Sequence, residues 1–403
     1  MDTLTLTPES DFPTPPETTT ATTTAAPPAE RPRFSDFPLR EELLRAIEAA
    51  GYTHPTPIQA AVLPPLLDGR DIFGQAQTGS GKTAAFGIPT INRLRPTGVV
   101  GAIVLVPTRE LCRQVTDELE KLAQGSGLHI LSVYGGTRMR GQFTALERGV
   151  DIVVGTPGRV IDHLGRGTLQ IDRVKIVILD EADEMLDIGF AEDIERILRR
   201  TPRERQTMLF SATMPGWVQR LVRRYQRSPV HIAIESEHAT VATVAQRYYE
   251  VAERDKLEGF LSFEEEFGRD ARLLIFRRMQ VGVDRLAQQL TREGWLAQAL
   301  HGGMAQADRT RTIDAYRNGD LRVLIATNVA ARGLDIPDIT HVINYDIPQN
   351  PEEYIHRIGR TARAGKTGVA MTFVGEWDYP YLEAIKAQVG DVLQPATLPI
   401  YQR

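Results

Sequence analysis

Residues 71–94 read DIFGQAQTGSGKTAAFGIPTINRL. An apolar strand pattern runs into a glycine-rich turn at 76–83, and a helical pattern follows at once. Such a turn is built to hold phosphate. Gly79 and Gly81 let backbone N–H groups face inward around phosphate oxygens, and the helix N-terminus adds the positive end of its dipole. Thr78 and Ser80 complete the loop, Lys82 can reach the β- and γ-phosphates, and the Thr83 hydroxyl can ligate Mg²⁺. Ala76 stands where the usual pattern has its first glycine.

Outward from this loop, short apolar runs alternate with helical patterns. AIVLV at 102–106, DIVVG at 151–155, VKIVILD at 174–180 and QTMLF at 206–210 suit strands of a parallel sheet covered on both faces. The alternation lapses in ESEHATVATVAQ at 235–246 and resumes with ARLLIF at 271–276, RVLIAT at 322–327 and THVINYD at 340–346. The expected organisation is an α/β fold of two parallel-sheet domains, 34–235 and 245–403, joined by a linker at 236–244. They look like a structural duplication, although no internal repeat is visible. Residues 1–33 are Thr, Pro, Ala and Glu with almost no large apolar side chain, which predicts a disordered tail.

ILDEAD at 178–183 ends an apolar strand and so falls at the carboxyl edge of the sheet, where ligands bind. There Asp180 can hold Mg²⁺ through water, and Glu181 can orient and deprotonate an attacking water.

Composition sets limits on partners. The 403 residues are 42% hydrophobic and 25% charged, as in a soluble globular protein. No apolar run is long enough to span a membrane, and the start lacks the pattern of a secretory signal. A single cysteine, Cys112, fits a reducing cytoplasm. The net charge of −5 argues against nucleic-acid binding by bulk attraction, so any such site must be local. Six of the 47 basic residues are lysines, and bidentate phosphate chemistry accounts for a few of the arginines at most.

AQTGSGKT, PTREL at 107–111, TPGR at 156–159, DEAD at 180–183 and SAT at 211–213 occur in the order and spacing of the DEAD-box helicase motifs. The resemblance covers about residues 34–375 and implies two tandem RecA-like domains that bind ATP, Mg²⁺ and RNA. GYTHPTPIQ at 51–59 resembles the family's Q motif, in which Gln59 would meet the adenine edge and Phe34 would stack on the base, with Phe37 as the alternative. Pro107, Thr108 and Arg109, the Gly135–Gly136 turn, and Thr156, Pro157, Gly158 and Arg159 would form a largely sequence-independent RNA-backbone track. Ser211 and Thr213, through contact with Asp183, would link the ATP site to RNA binding.

In the second domain ATNVAARGLDIP at 326–337 and YIHRIGRTARAG at 354–365 resemble motifs V and VI. Arg360 and Arg363 are three apart and would share a face if helical, and the resemblance makes them arginine fingers on the γ-phosphate. It assigns ribose contact to Asp335, coupling to His356, and RNA phosphates to Thr327, Arg309 and the Gly302–Gly303 turn. Two departures stand out. Asn328 replaces the commoner Asp, and Met279–Gln280 replaces Thr–Lys in motif IV, where Arg277 or Arg278 is expected to compensate. The implied activity is RNA-stimulated ATP hydrolysis with local unwinding of short duplexes by a monomeric, cytoplasmic core. An ATP-dependent RNA clamp with little unwinding, or a DNA translocase, would use the same core.

Overall fold

The computed structural model describes residues 32–76, 79–234, 244–268, 270–331, 338–362 and 367–401. Most of the expected tail, and the linker up to residue 243, lie outside these ranges. The first sheet contains β1 (Ile72–Gln75), β2 (Ala102–Leu105), β3 (Ile130–Val133), β4 (Ile152–Gly155), β5 (Ile176–Leu179), β6 (Gln206–Ser211) and β7 (Val230–Ala233). The second contains β8 (Val244–Glu250), β9 (Leu273–Arg277), β10 (Ala297–Leu300), β11 (Val323–Thr327), β12 (His341–Asn344), β13 (Gly368–Val374) and β14 (Leu393–Ala396). Every apolar run singled out in the sequence is a strand. Edge strands such as β3 and β10 carry no such signal, because they are only partly covered.

The strand order is β3-β4-β2-β5-β6-β1-β7 in one sheet and β10-β11-β9-β12-β13-β8-β14 in the other, and all pairings are parallel. Adding seven to each label of the first sheet gives the second, so the two lobes share one topology. Along each strand, successive residues enter opposite cores. Ile176 and Ile178 of β5 join one apolar cluster, while Val177 and Leu179 join the other. In β9, Leu273 and Ile275 likewise part from Leu274 and Phe276. Helices cover both faces, which leaves the carboxyl edges of the strands for chemistry. Among the described residues no helix is long and apolar enough to cross a membrane.

Candidate nucleotide and RNA sites

The phosphate loop leaves β1 and ends at Gly81, the N-cap of the helix Lys82–Arg93. Gly81 has φ 92°, and a Cβ there would stand 2.6 Å from Gln59 Nε2, so glycine alone fits. Lys82 is buried. Its Nζ donates to the Ala76 carbonyl at 3.0 Å and lies 3.9 Å from Asp180 Oδ1. Gly79 is exposed, and Ser80 and Thr83 are half-buried. Thr78 lies outside the described residues.

The Q-motif residues brace this loop. The Thr56 N–H donates to Gln59 Oε1 at 2.9 Å, a capping box that starts the helix Pro57–Leu67. Gln59 Nε2 donates to the Gly81 carbonyl at 3.0 Å, and Thr56 Oγ1 donates to the Ser80 carbonyl at 2.9 Å. These bonds leave the Gln59 amide one N–H and one lone pair for a base. Phe34 is 4% exposed and meets Tyr52 edge-on at 6.3 Å within the core. A base can stack on it only once the ring is uncovered. Phe37 is half-buried.

Asp180 and Glu181 follow β5 directly, and both are buried. Glu181 takes φ 53° and ψ 54°, a left-handed conformation that non-glycine residues seldom adopt outside functional turns. Burial pushes its carboxyl up to about 7; Lys82 and Arg360 oppose the shift, while Asp180 and Glu184 add to it. Burial also raises Asp180, and the charge of Lys82 counters it. Asp180 and Thr83 offer two hard oxygen donors beside the loop. They fit Mg²⁺, which keeps several waters and takes phosphate oxygens as further ligands.

Asp183 is fixed to the SAT segment. Its Oδ2 accepts from the Ala212 N–H at 3.1 Å, the Thr213 N–H at 2.8 Å and Thr213 Oγ1 at 2.9 Å. Its own N–H donates to Ser211 Oγ at 3.3 Å. The next residue, Glu184, carries no motif signal of its own in the sequence. Its Oε1 is 3.2 Å from His356 Nδ1, on the second lobe. Burial pushes the His356 imidazole down, but the hydrogen bond and charge of Glu184 outweigh that and raise it.

One expectation for motif VI fails. The helix Pro351–Ile358 ends before Arg360, with Gly359 as its C-cap, so Arg360 does not lie on a helical face. Thr361 Oγ1 instead donates to the Ile339 carbonyl at 2.5 Å, and Ala362 turns left-handed at φ 56°. Arg360 is buried, and its charge acts on Glu181. Arg363 and Asp335 lie outside the described residues.

The three turns of the first lobe's track converge. Thr108 caps the helix Arg109–Leu122, accepting from the Leu111 N–H at 3.2 Å, and Pro107 before it is buried. A Cβ on Gly136 would collide with Arg109 Nη1, and one on Gly135 would lie 3.9 Å from Arg159 Nη2. Thr156 and Pro157 begin the helix Pro157–Gly165, and Gly158 is exposed. Gln142 orients Arg159, accepting from its Nη1 at 3.2 Å, and no sequence motif marks it.

In the second lobe Gly302 and Gly303 are exposed after β10, and Thr327 is buried at the end of β11. Arg309 does not present a free guanidinium to phosphate. Its Nε and Nη2 each meet a carboxylate oxygen of Glu110 at 2.9 Å, and Gln306 Nε2 donates to the same carboxylate at 3.1 Å. Arg109 Nη1 donates to Gln306 Oε1 at 3.2 Å, so the two lobes are latched through residues of their expected tracks. Arg277 and Arg278, expected to compensate in motif IV, make contacts within their own lobe. Arg277 Nε donates to Asp346 Oδ2 at 2.9 Å, and Arg278 Nη2 donates to the Ile347 carbonyl at 3.4 Å. The Arg277 guanidinium is held by Asp346, while Arg278 remains exposed.

Two parallel sheets of one topology, with a phosphate loop, a lysine and paired acids at the edge of the first, define a RecA-like P-loop protein. A family model described as DEAD/DEAH box helicase matches residues 56–221, and one described as helicase conserved C-terminal domain matches 254–365. The chain is 46% identical over 354 residues to the DEAD-box ATP-dependent RNA helicase CshA of Bacillus subtilis, covering 88% of this chain and 72% of that one. It is 44% identical over 370 residues to the ATP-dependent RNA helicase CshA of Listeria monocytogenes, covering 92% and 71%. Among solved structures, S. cerevisiae Dbp5 bound to RNA and ADP BeF3 has a TM-score of 0.83 at 32% identity, covering 92% of this chain and 97% of that one. The chain belongs to the DEAD-box family of ATP-dependent RNA helicases.

Proposed function

We propose that the protein is an RNA-stimulated ATPase that binds Mg²⁺–ATP and single-stranded RNA between its lobes and locally unwinds short RNA duplexes. The observation that carries this reading is Glu181. It is a buried carboxyl beside the phosphate loop, poised to titrate near neutrality, and subject to charges from both lobes. Lys82 and the loop amides hold the β- and γ-phosphates. Glu181 takes the proton of the attacking water, and Arg360 with Arg363 meets the charge that develops on the γ-phosphoryl group. Bound Mg²⁺ would supply neutralising charge on the phosphates, held by Thr83 and by Asp180 through water. Asp335 contacts the ribose. Asp183, bonded to the SAT segment, carries the state of the nucleotide site toward the RNA track. Lobe closure requires that both ligands prefer the closed arrangement.

Pro107, Thr108, Arg109, Gly136 and the turn Thr156–Arg159 line the track on one lobe, and Gly302 and Thr327 line it on the other. Arg309 serves that track through Glu110. The likeness to Dbp5 bound to RNA and ADP BeF3, which spans both lobes, supports the reading. The deciding variant is Glu181→Gln: ATP and RNA should bind together while hydrolysis falls by at least about a hundredfold. Normal turnover would remove Glu181 as the base. The Glu110–Arg309 latch favours a second reading, a clamp that holds RNA with little unwinding. A duplex-displacement assay separates the two, and binding without displacement selects the clamp.

A further inference from the structure

A strongly basic surface of the protein lies away from both sites. Between residues 196 and 227 stand nine arginines, no lysine and one acidic residue, Glu204, in a chain of net charge −5. Eight of the nine are exposed, and Arg205 is buried. Topology fixes the place of seven of them, all but the mid-helix Arg196 and Arg220. The helices Ala191–Arg200 and Gly216–Tyr225 run back from the carboxyl edge of the first sheet, so their last turns, and the segments entering β6 and β7, collect at its amino edge. The RNA track occupies the carboxyl edge. The two helix ends are tied together: Arg224 Nη1 lies 3.1 Å from Glu195 Oε2, and Arg227 Nη2 donates to the Arg205 carbonyl at 3.0 Å. Between them is a half-open cavity of about 280 Å³ lined by Glu195, Arg220, Leu221, Arg223, Arg224 and Tyr225.

Neighbouring acids answer only part of this charge. Glu195 pairs with Arg199 and Arg224, and Asp193 pairs with Arg196. Among the described residues, Arg200, Arg203, Arg220 and Arg223 have no carboxylate within ion-pair distance. Helix dipoles favour cations in the last turns, which accounts for Arg199, Arg200, Arg223 and Arg224. They do not account for Arg203, Arg220 or Arg227, which lie outside those turns.

We propose that this face is a second RNA-binding surface, which grips phosphates of an RNA long enough to pass from the track around the first lobe. The inference rests on the RNA track proposed above. Guanidinium forks suit phosphate oxygens, and such contacts read no sequence. An RNA already seated in the track presents its flanks at high effective concentration, so even weak contacts count. An acidic protein partner would lack that advantage.

The test uses the whole chain with Arg200, Arg203, Arg220 and Arg223 all replaced by Ala, and a companion with all four replaced by Lys. Binding is measured across salt concentrations for RNAs of about 10 and about 40 nucleotides, the shorter only long enough for the track. The Ala variant should bind the short RNA as the wild type does and the long RNA about tenfold more weakly, with the salt slope lower by about 0.7 for each phosphate no longer neutralised. The Lys variant should keep most of the long-RNA affinity, and RNA-free ATP hydrolysis should be unchanged in both. Unchanged affinity and slope for the long RNA in the Ala variant would overturn the proposal. So would equal losses in the Ala and Lys variants, or a wild type that does not distinguish the two lengths. Arg109→Ala with Arg159→Ala probes the track separately and should weaken both lengths. If it weakens neither, the track reading fails while the length dependence of the basic face stands.

Discussion

Each lobe carries a lysine beyond its first strand and an aspartate beyond its fifth, and topology brings each pair together. Lys82 lies 3.9 Å from Asp180 in the first lobe, and Lys256 lies 3.7 Å from Asp346 in the second. The approaches to the lysines differ. Lys82 is reached through a loop with left-handed glycines at 79 and 81. Lys256 is reached through VAERD at 251–255, which has no glycine, and Glu253 closes on its Nζ at 2.6 Å. Arg277 then binds Asp346 and stacks on Tyr345. The lysine–aspartate pair is therefore common to both lobes. A loop able to turn its amides inward makes one of them a phosphate site, and a glutamate makes the other an internal ion network.

The largest effect should come from exchanging the two lysines for alanine. Lys82→Ala removes a phosphate contact and should lower ATP turnover per folded molecule by at least about a hundredfold, whatever it costs in stability through Asp180. Lys256→Ala leaves Asp346 short of a partner in a mostly buried network and should cost about 3 kcal/mol of stability. Its turnover per folded molecule should stay close to normal. Turnover and thermal melts of both variants check this, and a hydrolysis defect in Lys256→Ala at full stability would break the comparison.

The acids extend the contrast to pH. Glu181 is raised from an ordinary 4.5 to about 7, chiefly by burial. In that interval the folded state binds more protons than the unfolded one, so stability is lost as pH rises. Glu181→Gln should therefore melt higher than the wild type, by up to about 3 kcal/mol above pH 7, and the gain should vanish near pH 4. Turnover should run the other way and rise with pH through about 7, because the base must be deprotonated. Asp346 is instead a satisfied acceptor, held by Arg277 Nε at 2.9 Å and the Arg278 N–H at 2.8 Å, so removing its charge should lower the melting temperature rather than raise it. Asp346→Asn should lose about 2 kcal/mol at neutral pH. Equal shifts in the two melts would show that the acids are used alike.

These contrasts separate what the sequence shows from what it cannot. The phosphate loop, DEAD and SAT are local patterns, and the structure finds their side chains adjacent, with Asp183 on Thr213 and Lys82 near Asp180. Glu110 and Arg309 are 199 positions apart, and nothing in PTREL or QADR says that one residue neutralises the other. The end of the motif VI helix is hidden for a similar reason. Arg360 and Arg363 have helical spacing, but Gly359 ends the helix and Thr361 bonds back to Ile339. The structural duplication, by contrast, is legible from the alternating apolar runs, although the strand order itself is not.

The latch gives the next effect in size. If Arg309 acts through Glu110, then Glu110→Ala and Arg309→Ala should each weaken RNA binding, and the double variant should be no worse than either. The coupling energy should be about 2 kcal/mol. If Arg309 holds an RNA phosphate on its own account, the losses should add instead. The cycle, read as single-stranded RNA affinity in the presence of ATP, decides which lobe owns this arginine.

The smallest effect concerns the glycine turns after the third strand of each sheet. In the first lobe Arg109 and Arg159 surround Gly135–Gly136 with positive charge. At the matching place in the second lobe a Cβ on Gly303 would stand 2.6 Å from Gln280 Oε1, so a neutral amide fills the position. Met279 beside it is 67% exposed, and Arg277 is turned away toward Asp346. The second turn should therefore hold RNA without releasing a counterion, while the first releases one for each arginine engaged. Gln280→Lys should then tighten RNA binding by about fivefold near 0.1 M salt and steepen the salt slope by about 0.7. An unchanged slope would mean that no phosphate passes within reach of Gln280. The strand would then leave the second lobe's turn on a different course from the one it takes over Gly135–Gly136.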